Sequence, residues 1–554
     1  MQRASFLRIS KSISISALLV LFVAFPLSAQ KSFEISKQWD ILHMLYRELD
    51  QYYVDSVSPE NALGNAINGL MSTFDPYTNY IPESQTGDLK FMTTGEYGGV
   101  GAVIGQRGSN VIILELYENM PAQKAGLKPG DVLLEIDNVK LDAGSNQQAS
   151  ELLKGAPGTE LTVVVKREGV DKPIKRKFLR ERILINQVAY HGMIDAEVGY
   201  INLNGFTDKA YQEVQQALME LKAKGAKKMI LDLRGNGGGL LDEAVAICNL
   251  FVPKGQEIVS TKGKQRQWDQ TYNTTKEPID TLMPLVVLAN SGSASSSEIV
   301  CGALQDLDRA IILGTRTYGK GLVQTTRSIP YNGLVKLTTA KYYIPSGRCI
   351  QAINYSDRNK DGSVGRIPDS LMHTFYTKVG RPVRDGGGIQ PDIACEDRVG
   401  APLLYALIDG MYFFDFANRY ARAHQTIPPV ASFALTDKDF SDFQQFVKER
   451  GFSYERDSQK ELTKLKRLLE DEQLADRVKD ELKALEAKLA NADIETDIEA
   501  NKSDVELMLS TEIISRYYYQ SGELQQSLKS DRCLEQAVRV LNDEEGYKKT
   551  LKIN

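Results

Sequence analysis

The pattern of apolar and polar positions changes several times along the chain. Residues 33–85 carry apolar side chains at helical spacing and end in the turn Asp75-Pro-Tyr-Thr-Asn79. From Tyr97 to about Leu179 the chain consists of short β runs broken by turns, with one helical pattern near Asn146–Leu153. The pattern predicts a helical N-terminal segment followed by a mainly β module.

Strand and helix patterns alternate from Val198 to about Ile393. Val198–Leu203 indicates a strand, and Asp208–Lys224 indicates an amphipathic helix with Thr207 as its N-cap and Gly225 as its end. Further elements are predicted at Met229–Leu233, after Gly239, at Leu285–Ala289, after Ser295 and at Ala310–Leu313. Repeated β-α order predicts a largely parallel sheet covered by helices, with the functional site beyond the carboxyl ends of the strands.

Beyond Gly400 the pattern is helical again. Aromatic residues recur between Phe413 and Tyr420, and Leu482 and Leu485 share one face of a later stretch that is rich in charge. This pattern predicts a helical region that packs on itself or on a second copy of the chain. A homo-oligomer formed through these C-terminal helices is therefore one expectation.

Composition and charge exclude several classes of protein. The chain has 554 residues, of which 42% are apolar and 25% charged, as in ordinary globular proteins. Its 67 basic and 72 acidic residues give a net charge of -5, which disfavours nucleic-acid binding. The five cysteines lack metal-ligand spacing, so no metal or other cofactor is predicted, although one pair of cysteines could form a disulfide bond. None of the four histidines falls in a motif, which argues against a Ser-His-Asp triad.

The first 29 residues have the features of an export signal. Arg3, Arg8 and Lys11 precede the apolar run Ile13–Phe25, and small residues follow at Leu27-Ser-Ala29. The chain is therefore expected to be exported to the periplasm or cell envelope. The apolar run is short for a membrane span, and membrane association is expected only if the signal stays uncleaved.

Three short motifs carry candidate chemistry. Leu231-Asp-Leu-Arg-Gly-Asn-Gly-Gly-Gly-Leu240 is an apolar strand that runs into glycines, whose N–H groups can approach a reacting oxyanion. Asn290-Ser-Gly-Ser-Ala-Ser-Ser-Ser-Glu298 places a serine at the start of a helix, and Tyr318-Gly-Lys-Gly-Leu-Val-Gln324 offers a lysine base. Together they supply the nucleophile, base and oxyanion donors of acyl transfer. Composition does not choose among the serines of the second motif, which are Ser291, Ser293, Ser295, Ser296 and Ser297.

The motifs resemble those of the carboxyl-terminal processing peptidases, also called tail-specific proteases. In that family the catalytic serine lies three residues before a glutamate and 25 before a lysine, and Ser295 has both spacings, to Glu298 and Lys320. Gln324 stands four residues beyond the lysine, where the family has a glutamine. The resemblance covers roughly residues 33–400 and implies a crotonase/ClpP-like α/β peptidase core with an inserted PDZ domain.

The resemblance also implies a role for each residue of the site. Ser295 is expected to be the nucleophile, Lys320 its base and Gln324 the group that orients the lysine. A lysine base must be uncharged, which requires burial beside apolar neighbours. Such neighbours are available at Ile312, Leu313, Leu322 and Val323. The alternatives are an ordinary surface lysine at position 320 and a nucleophile at Ser296 or Ser297.

Backbone N–H groups are expected to form the oxyanion hole. The candidates are Ser296, at a helix start, together with Gly238 or Gly239. Glu298 is either a third catalytic group or the carboxylate of a capping box. Asp232 and Arg234 are expected to fix the glycine loop. In Gly235-Asn236 the second position varies within the family, so Asn236 carries little weight.

Residues 97–179 are predicted to form a PDZ-like module. Tyr97-Gly-Gly-Val-Gly-Ala102 resembles the loop with which PDZ domains bind a terminal carboxylate, so Gly98, Gly99, Val100 and Gly101 are candidate peptide-binding residues. The run from Glu118 to Ile136 also matches the PDZ pattern. The expected ligands are peptides with free apolar C-termini, and the alternative is that these glycines are ordinary turns.

A polar segment, Asp357-Arg-Asn-Lys-Asp-Gly362, resembles the first half of a calcium loop. Its twelfth position is Pro368 rather than the glutamate that would supply a bidentate ligand. A polar hairpin without a metal is therefore the favoured interpretation.

The predicted organisation is α/β and multidomain. A signal peptide (1–29) precedes a helical segment (30–87), a PDZ domain (88–180), a peptidase core (181–397) on which residues 33–87 pack, and a helical C-terminal domain (398–554). The predicted function is an exported serine endopeptidase that recognises tails of envelope proteins and cleaves through an acyl-enzyme. The alternatives are a catalytically silent PDZ adaptor and a crotonase-type acyl enzyme, which an export signal disfavours because coenzyme A is cytosolic.

Overall fold

A computed structural model describes residues 32–141, 145–359, 361–396, 400–490 and 494–553. The predicted signal peptide lies outside this range, as do residue 360 and the Asp357 side chain of the candidate calcium loop, so both interpretations stay predictions. The chain divides into two compact units, residues 1–80 and residues 81–554. Within the ranges described, no helix is both long enough and apolar enough to cross a bilayer.

The first unit is helical in its described part. Its helices are α1 (32–52) and α2 (Pro59–Ser72), and strand β1 (Asn79–Ile81) begins at its end. Helix α2 begins after Ser58, whose Oγ accepts the Asn61 N–H at 3.4 Å. The predicted turn at Asp75 is present, because its Oδ1 accepts the N–H groups of Tyr77 and Thr78, both at 2.9 Å. Packing of residues 33–87 on the core stays a prediction.

The β module that follows is an antiparallel sheet closed by one helix. The elements of this part are α3 (Thr86–Thr94), β2 (Glu96–Gly99), β3 (Ala102–Arg107), β4 (Asn110–Leu116), α4 (Pro121–Lys124), β5 (Val132–Ile136), β6 (Val139–Lys140), α5 (Asn146–Leu153), β7 (Glu160–Lys166), β8 (Ile174–Leu179) and β9 (Glu181–Leu184). The strand order in the sheet is β3-β4-β5-β7-β8, and β6 pairs with β5. Helix α5 begins after Ser145, whose Oγ accepts the Gln148 N–H at 3.1 Å. Within the described ranges β3 pairs with β4 alone, so it is an edge strand.

A central sheet forms the next layer, and β2 pairs with β9 at the junction between it and the β module. The elements here are β10 (Val188–Met193), β11 (Val198–Leu203), α6 (Ala210–Ala223), β12 (Lys228–Asp232), α7 (Leu241–Cys248), β13 (Glu257–Gly263), β14 (Gln270–Asn273), β15 (Leu285–Ala289), α8 (Ser296–Asp306), β16 (Ile311–Gly314), β17 (Leu322–Ser328), β18 (Leu334–Tyr343), β19 (Ile353–Arg358), β20 (Val364–Arg366), β21 (Thr374–Tyr376), β22 (Pro382–Arg384) and β23 (Ile393–Ala394). The central strand order is β10-β11-β12-β15-β16-β23, and its pairs are parallel except for β10 with β11. The predicted parallel sheet is therefore confirmed.

One predicted helix cap is wrong. Helix α6 begins at Ala210 rather than Asp208, and the buried Thr207 hydroxyl makes no hydrogen bond. The backbone carbonyl of Thr207 accepts the Ala210 N–H at 3.0 Å, so residues 207–209 form a turn before the helix. The predicted end is correct, because Gly225 follows the helix with φ of 102°.

The central sheet is buried on both faces. Ile201, Leu231 and Val287 belong to a core cluster with side chains of α6, α7 and α8. Their neighbours Tyr200 and Ile230 point to the opposite face, because successive residues of a strand alternate between faces. That face is covered by side chains from two helices near the end of the chain. Parallel sheets need such double cover, since their strands are apolar throughout.

The C-terminal region is helical, as its pattern predicts, and it has two separate roles. The helices are α9 (Pro402–Asp409), α10 (Tyr412–Ala423), α11 (Asp437–Glu449), α12 (Asp457–Asp471), α13 (Lys479–Ala490), α14 (Ile494–Ala500), α15 (Lys502–Ser527), α16 (Arg532–Asn542) and α17 (Glu544–Leu551). An aromatic core is shared by α9, α10, α11, α14 and α15, and in it the rings of Phe413 and Phe443 stack with their centroids 5.2 Å apart. The last two helices, α16 and α17, instead cover the second face of the central sheet.

A disulfide bond fixes α16 to the sheet. Cys395, directly after β23, is bonded to Cys533 in the first turn of α16, across 138 residues of sequence. The other cysteines, Cys248, Cys301 and Cys349, are free thiols.

Replacement of both bridged cysteines by serine is expected to lower the melting temperature of the protein. A disulfide that closes a long loop contributes about 2–4 kcal/mol, mainly by restricting the unfolded chain. Thermal denaturation without reductant measures the shift, and Cys349→Ser is the matched control that should leave the melting temperature unchanged. Equal melting temperatures for the double variant and the wild type would contradict the bridge.

Candidate active site

Ser295 lies on a strained turn at the start of α8. Its φ of 57° and ψ of -114° are unusual for a residue with a Cβ. Its N–H donates to Glu298 Oε2 at 2.9 Å, which holds the turn in this conformation. Backbone strain of this kind persists only where surrounding contacts enforce it, and it clusters at functional sites.

The neighbouring serines are committed to structural hydrogen bonds. Ser293, Ser296 and Ser297 are each at most 1% exposed. Their hydroxyls donate to the backbone carbonyls of Leu233 (2.7 Å), Gly239 (2.9 Å) and Asn236 (2.8 Å) respectively. Ser295 is only partly buried. These bonds disfavour Ser293, Ser296 and Ser297 as the reactive serine, whereas Ser291 is exposed and Ser295 lies on the strained turn.

Glu298 joins the serine turn to the lysine turn. Its side chain is fully buried in the first turn of α8 and accepts four hydrogen bonds. The donors are the N–H groups of Ser295 (2.9 Å), Gly319 (2.7 Å) and Lys320 (2.9 Å) and the hydroxyl of Thr317 (2.6 Å). The contact with Ser295 fits the capping-box hypothesis, and the contacts with residues 317–320 extend it to a second loop.

Tyr342 makes a second bridge between the same two turns. Its hydroxyl is within hydrogen-bond distance of the backbone carbonyl oxygens of Ser295, at 3.2 Å, and of Lys320. The side chain is 1% exposed and packs in the main core. The one O–H proton of Tyr342 can serve either carbonyl, so the direct tie between the main chains of Ser295 and Lys320 is the pair of N–H groups on Glu298.

Burial raises the pKa of Glu298 to about 7, although its four donors act in the opposite direction. Burial disfavours the charged form of a carboxyl group, while hydrogen bonds donated to that form favour it. The ionised form accepts all four donors, whereas a protonated oxygen would face N–H groups. Because burial outweighs the four donors, the folded protein favours the neutral carboxyl group more than water does.

Lys320 and Gln324 lie just before and inside strand β17. Lys320 is partly buried and precedes by two residues Leu322, the first residue of the strand, which is 8% exposed. Gln324 lies opposite Thr338 in the β17–β18 ladder, and its Nε2 donates to Thr338 Oγ1 at 3.2 Å. The Gln324 Oε1 atom is the acceptor of that amide.

The glycine loop lies directly against the serine turn. A Cβ on Gly238 would stand 2.9 Å from both Ser295 Cβ and Ser296 N, so a larger residue would not fit there. The Gly238 N–H donates to Asn236 Oδ1 at 2.8 Å, whereas the prediction made it a possible oxyanion donor. In this conformation Gly239 and Ser296 are the better placed candidates.

Asn236 has a larger structural role than its place in the motif indicates. This residue is fully buried, and its Nδ2 donates to Leu203 O at 2.7 Å while its Oδ1 holds Gly238. Its backbone carbonyl also accepts the N–H of Ala294 at 3.0 Å. A short amide side chain after a buried strand is a signal for such local backbone contacts.

Asp232 and Arg234 fix the start of the loop, as expected. The Asp232 carboxylate accepts the Tyr200 hydroxyl at 2.8 Å and the Arg234 Nη2 at 2.6 Å. Both side chains are largely buried. Among the described residues, no group of three or more His, Cys, Asp or Glu side chains is placed to hold a metal ion.

The predicted peptide-binding residues fall into two groups. Gly98 and Gly99 belong to β2, where they pair with Arg182 and Glu181 of β9. Val100 and Gly101 form the loop that leads into β3, and their carbonyls accept N–H groups of the module itself, at 2.9 and 3.0 Å. Gly101 has φ of 72°. Two of the four predicted residues therefore lie in the loop and two in the strand before it, and their role in peptide binding stays a prediction.

The raised pKa of Glu298 makes a testable prediction about stability. Between its ordinary pKa of 4.5 and its folded pKa of about 7, the folded protein binds more protons at this group than the unfolded chain does. Its contribution to stability is therefore present at acid pH and is lost as the pH rises through about 7. Glu298→Gln removes this titration, so the melting temperature of the wild type should fall relative to that of the variant as the pH rises from about 5 to about 8. A difference between the two melting temperatures that stays constant over that range would contradict the assigned pKa.

The chain is similar to known proteins over most of its length. Family models match three parts of the chain: Peptidase family S41 at residues 197–357, a PDZ domain at 112–167 and a probable PDZ-protease C-terminal helical domain at 403–541. The third match extends the likeness beyond Gly400, where the sequence motifs do not reach.

Two curated relatives and one solved structure illustrate the likeness. A carboxy-terminal-processing protease of Bartonella bacilliformis is 36% identical over 313 residues, which is 56% of this chain and 71% of that protein. A probable CtpA-like serine protease of Staphylococcus aureus is 34% identical over 309 residues, which is 55% of this chain and 61% of that protein. The structure of a photosystem II D1 C-terminal processing protease is 27% identical, with a TM-score of 0.35, and covers 64% of this chain and 86% of that one. The chain therefore belongs to peptidase family S41, among the carboxy-terminal-processing proteases, and is a serine-type peptidase with a PDZ domain.

Proposed function

We propose that this protein is an exported endopeptidase that cleaves peptide bonds with Ser295 as nucleophile and Lys320 as general base. The observation that carries the proposal is the bridge by Glu298, which accepts the N–H groups of both residues, while the Tyr342 hydroxyl packs beside their carbonyl oxygens. The hydroxyls of Ser296 and Ser297 are buried and donate to backbone carbonyls, which supports Ser295 over both alternatives.

In the proposed reaction, Ser295 Oγ attacks the carbonyl carbon of the substrate and Lys320 Nζ takes its proton. The N–H groups of Ser296 and Gly239 then stabilise the oxyanion. The same lysine donates the proton to the leaving amine, which yields an acyl-enzyme that water hydrolyses. Gln324 Oε1 accepts a hydrogen bond from Lys320, while its Nε2 stays on Thr338.

We further propose that the core is of the crotonase/ClpP-like type. Both site loops follow the carboxyl ends of neighbouring parallel strands, β12 and β15, which is where such sheets place their ligands. Membership of a peptidase family argues against both a silent adaptor and an acyl-CoA enzyme.

An exported location is also a proposal. It rests on the signal-like residues 1–29 and on the Cys395–Cys533 disulfide, a bond that persists in oxidising compartments such as the periplasm. Proteins of the cell envelope are then the proposed substrates. A homo-oligomer through the C-terminal helices stays a prediction, but the apolar faces of α16 and α17 already cover the chain's own sheet.

Substitution of the proposed dyad is expected to abolish cleavage. Ser295→Ala and Lys320→Arg should each lower kcat on the order of a thousandfold or more. Alanine lacks the nucleophilic hydroxyl, and arginine stays protonated and so cannot accept its proton. Ser291→Ala is the matched control, because Ser291 is an exposed serine of the same motif, and its kcat should stay close to that of the wild type. The assay follows cleavage of a disordered polypeptide that ends in apolar residues. Undiminished cleavage by Ser295→Ala or by Lys320→Arg would refute the dyad.

The PDZ domain is proposed to bind the substrate tail as an added strand along the edge of β3. The terminal carboxylate would then lie at the Val100–Gly101 loop, where backbone N–H groups can donate to it. A hydrogen bond to a charged group contributes about 1.5–3 kcal/mol. Amidation of the substrate C-terminus should therefore raise KM by about tenfold or more and leave kcat nearly unchanged. Equal KM values for the acid and the amide would contradict this role.

A further inference from the structure

The C-terminal helices contact the catalytic loop through one ion pair. Asp531 stands directly before α16, and its Oδ2 accepts a hydrogen bond from Arg234 Nη2 at 2.5 Å. The two side chains are 14% and 15% exposed, and 297 residues of sequence separate them. The pair therefore joins the end of the chain to the start of the glycine loop.

Arg234 is held from two sides. Its Nη2 also donates to Asp232 Oδ2 at 2.6 Å, and Asp232 in turn accepts the hydroxyl of Tyr200. The next residue, Gly235, begins the loop and donates its N–H to Asn290 Oδ1 at 2.9 Å. The position of the Arg234 side chain thus sets where the main chain enters the loop that leads to Gly238 and Gly239.

The residue that holds Arg234 is itself rigidly placed. Asp531 Oδ1 accepts the Leu534 N–H at 2.9 Å and so caps α16, and Cys533 is bonded to Cys395. The following helix is anchored as well, because the buried Tyr547 hydroxyl bonds to the N–H of Leu285 at 2.9 Å and to its carbonyl at 3.1 Å. Helix α16 therefore presents Asp531 to Arg234 from a fixed site on the central sheet.

We propose that Asp531 is a positioning residue for the oxyanion loop, supplied by the C-terminal helical region. The proposal rests on the proposed function, since it assumes that Gly239 donates to the oxyanion. Asp531 acts through Arg234 and contacts no reacting atom. Without its charge, Arg234 loses the carboxylate contact that comes from the rigid helix, while its contact with Asp232 remains.

The variant Asp531→Asn separates this role from the structural one. Asparagine caps a helix as well as aspartate does, so α16 keeps its start while the charge that faces Arg234 disappears. We expect kcat to fall by about 10- to 100-fold, because a small displacement of oxyanion donors has effects of that size. KM should change little. Because the largely buried Arg234 loses a carboxylate partner, the melting temperature should fall, so kcat is compared well below the melting temperatures of both proteins. The rate at which a serine-directed fluorophosphonate labels Ser295 should fall in parallel with kcat.

Asp543→Asn is the matched control. Asp543 caps the neighbouring helix α17 by accepting the Gly546 N–H at 3.0 Å, so the substitution makes the same chemical change at the same kind of site. It should leave kcat, the labelling rate and the melting temperature at wild-type values.

Coupling to Arg234 tests the route of the effect. In an Arg234→Gln background, Asp531→Asn should add little further loss, because the partner through which it acts is gone. A wild-type kcat and labelling rate for Asp531→Asn would overturn the proposal. So would a loss that follows the melting temperature, or one that adds fully to Arg234→Gln. These failures differ from failure of the proposed function, in which Ser295→Ala itself would stay active.

Discussion

A buried carboxylate, Glu298, holds two loops of the site together. It accepts the N–H groups of Ser295, Gly319 and Lys320 and the hydroxyl of Thr317, all from inside the core. A buried charge is stable only when its partners are complete, so the two loops cannot separate without leaving it unpaired. The strained turn at Ser295 is the local consequence, because the bond to Glu298 helps to hold a backbone conformation that the residue would otherwise leave. The proposed nucleophile and base thus share one anchor.

The architecture around this anchor explains why the chain continues after its catalytic motifs. A parallel sheet with apolar side chains on both faces needs two covering layers. Helices α6, α7 and α8 supply one layer, and α16 and α17 supply the other from the far end of the sequence. Helix α16 carries Cys533 and begins directly after Asp531. One C-terminal segment, residues 531–551, therefore covers the sheet and contacts Arg234 at the start of the glycine loop.

Local patterns predicted much of this structure. The strands and helices between Val198 and Leu313 follow from apolar periodicity and glycine stops, and the fixed spacing of Ser295, Glu298 and Lys320 pointed to the site. Contacts between residues distant in sequence were not predictable in this way. Tyr342 and Asp531 lie in segments without a motif, and each reaches the site only because the fold brings it there. The antiparallel sheet of β13, β14, β17 and β18 was missed because its strands do not follow the β-α order. Thr207 failed as a cap because a turn of the backbone intervenes before α6.

Through Glu298, the proposed mechanism requires that the Lys320 amine be held beside the Ser295 hydroxyl. A crystal structure of the protein after reaction with a fluorophosphonate would test this most directly. We expect phosphorus on Ser295 Oγ, Lys320 Nζ within about 3 Å of that oxygen, and the four contacts of Glu298 intact. Phosphorus on Ser296 or Ser297, or a Lys320 Nζ more than about 6 Å from the labelled oxygen, would contradict it.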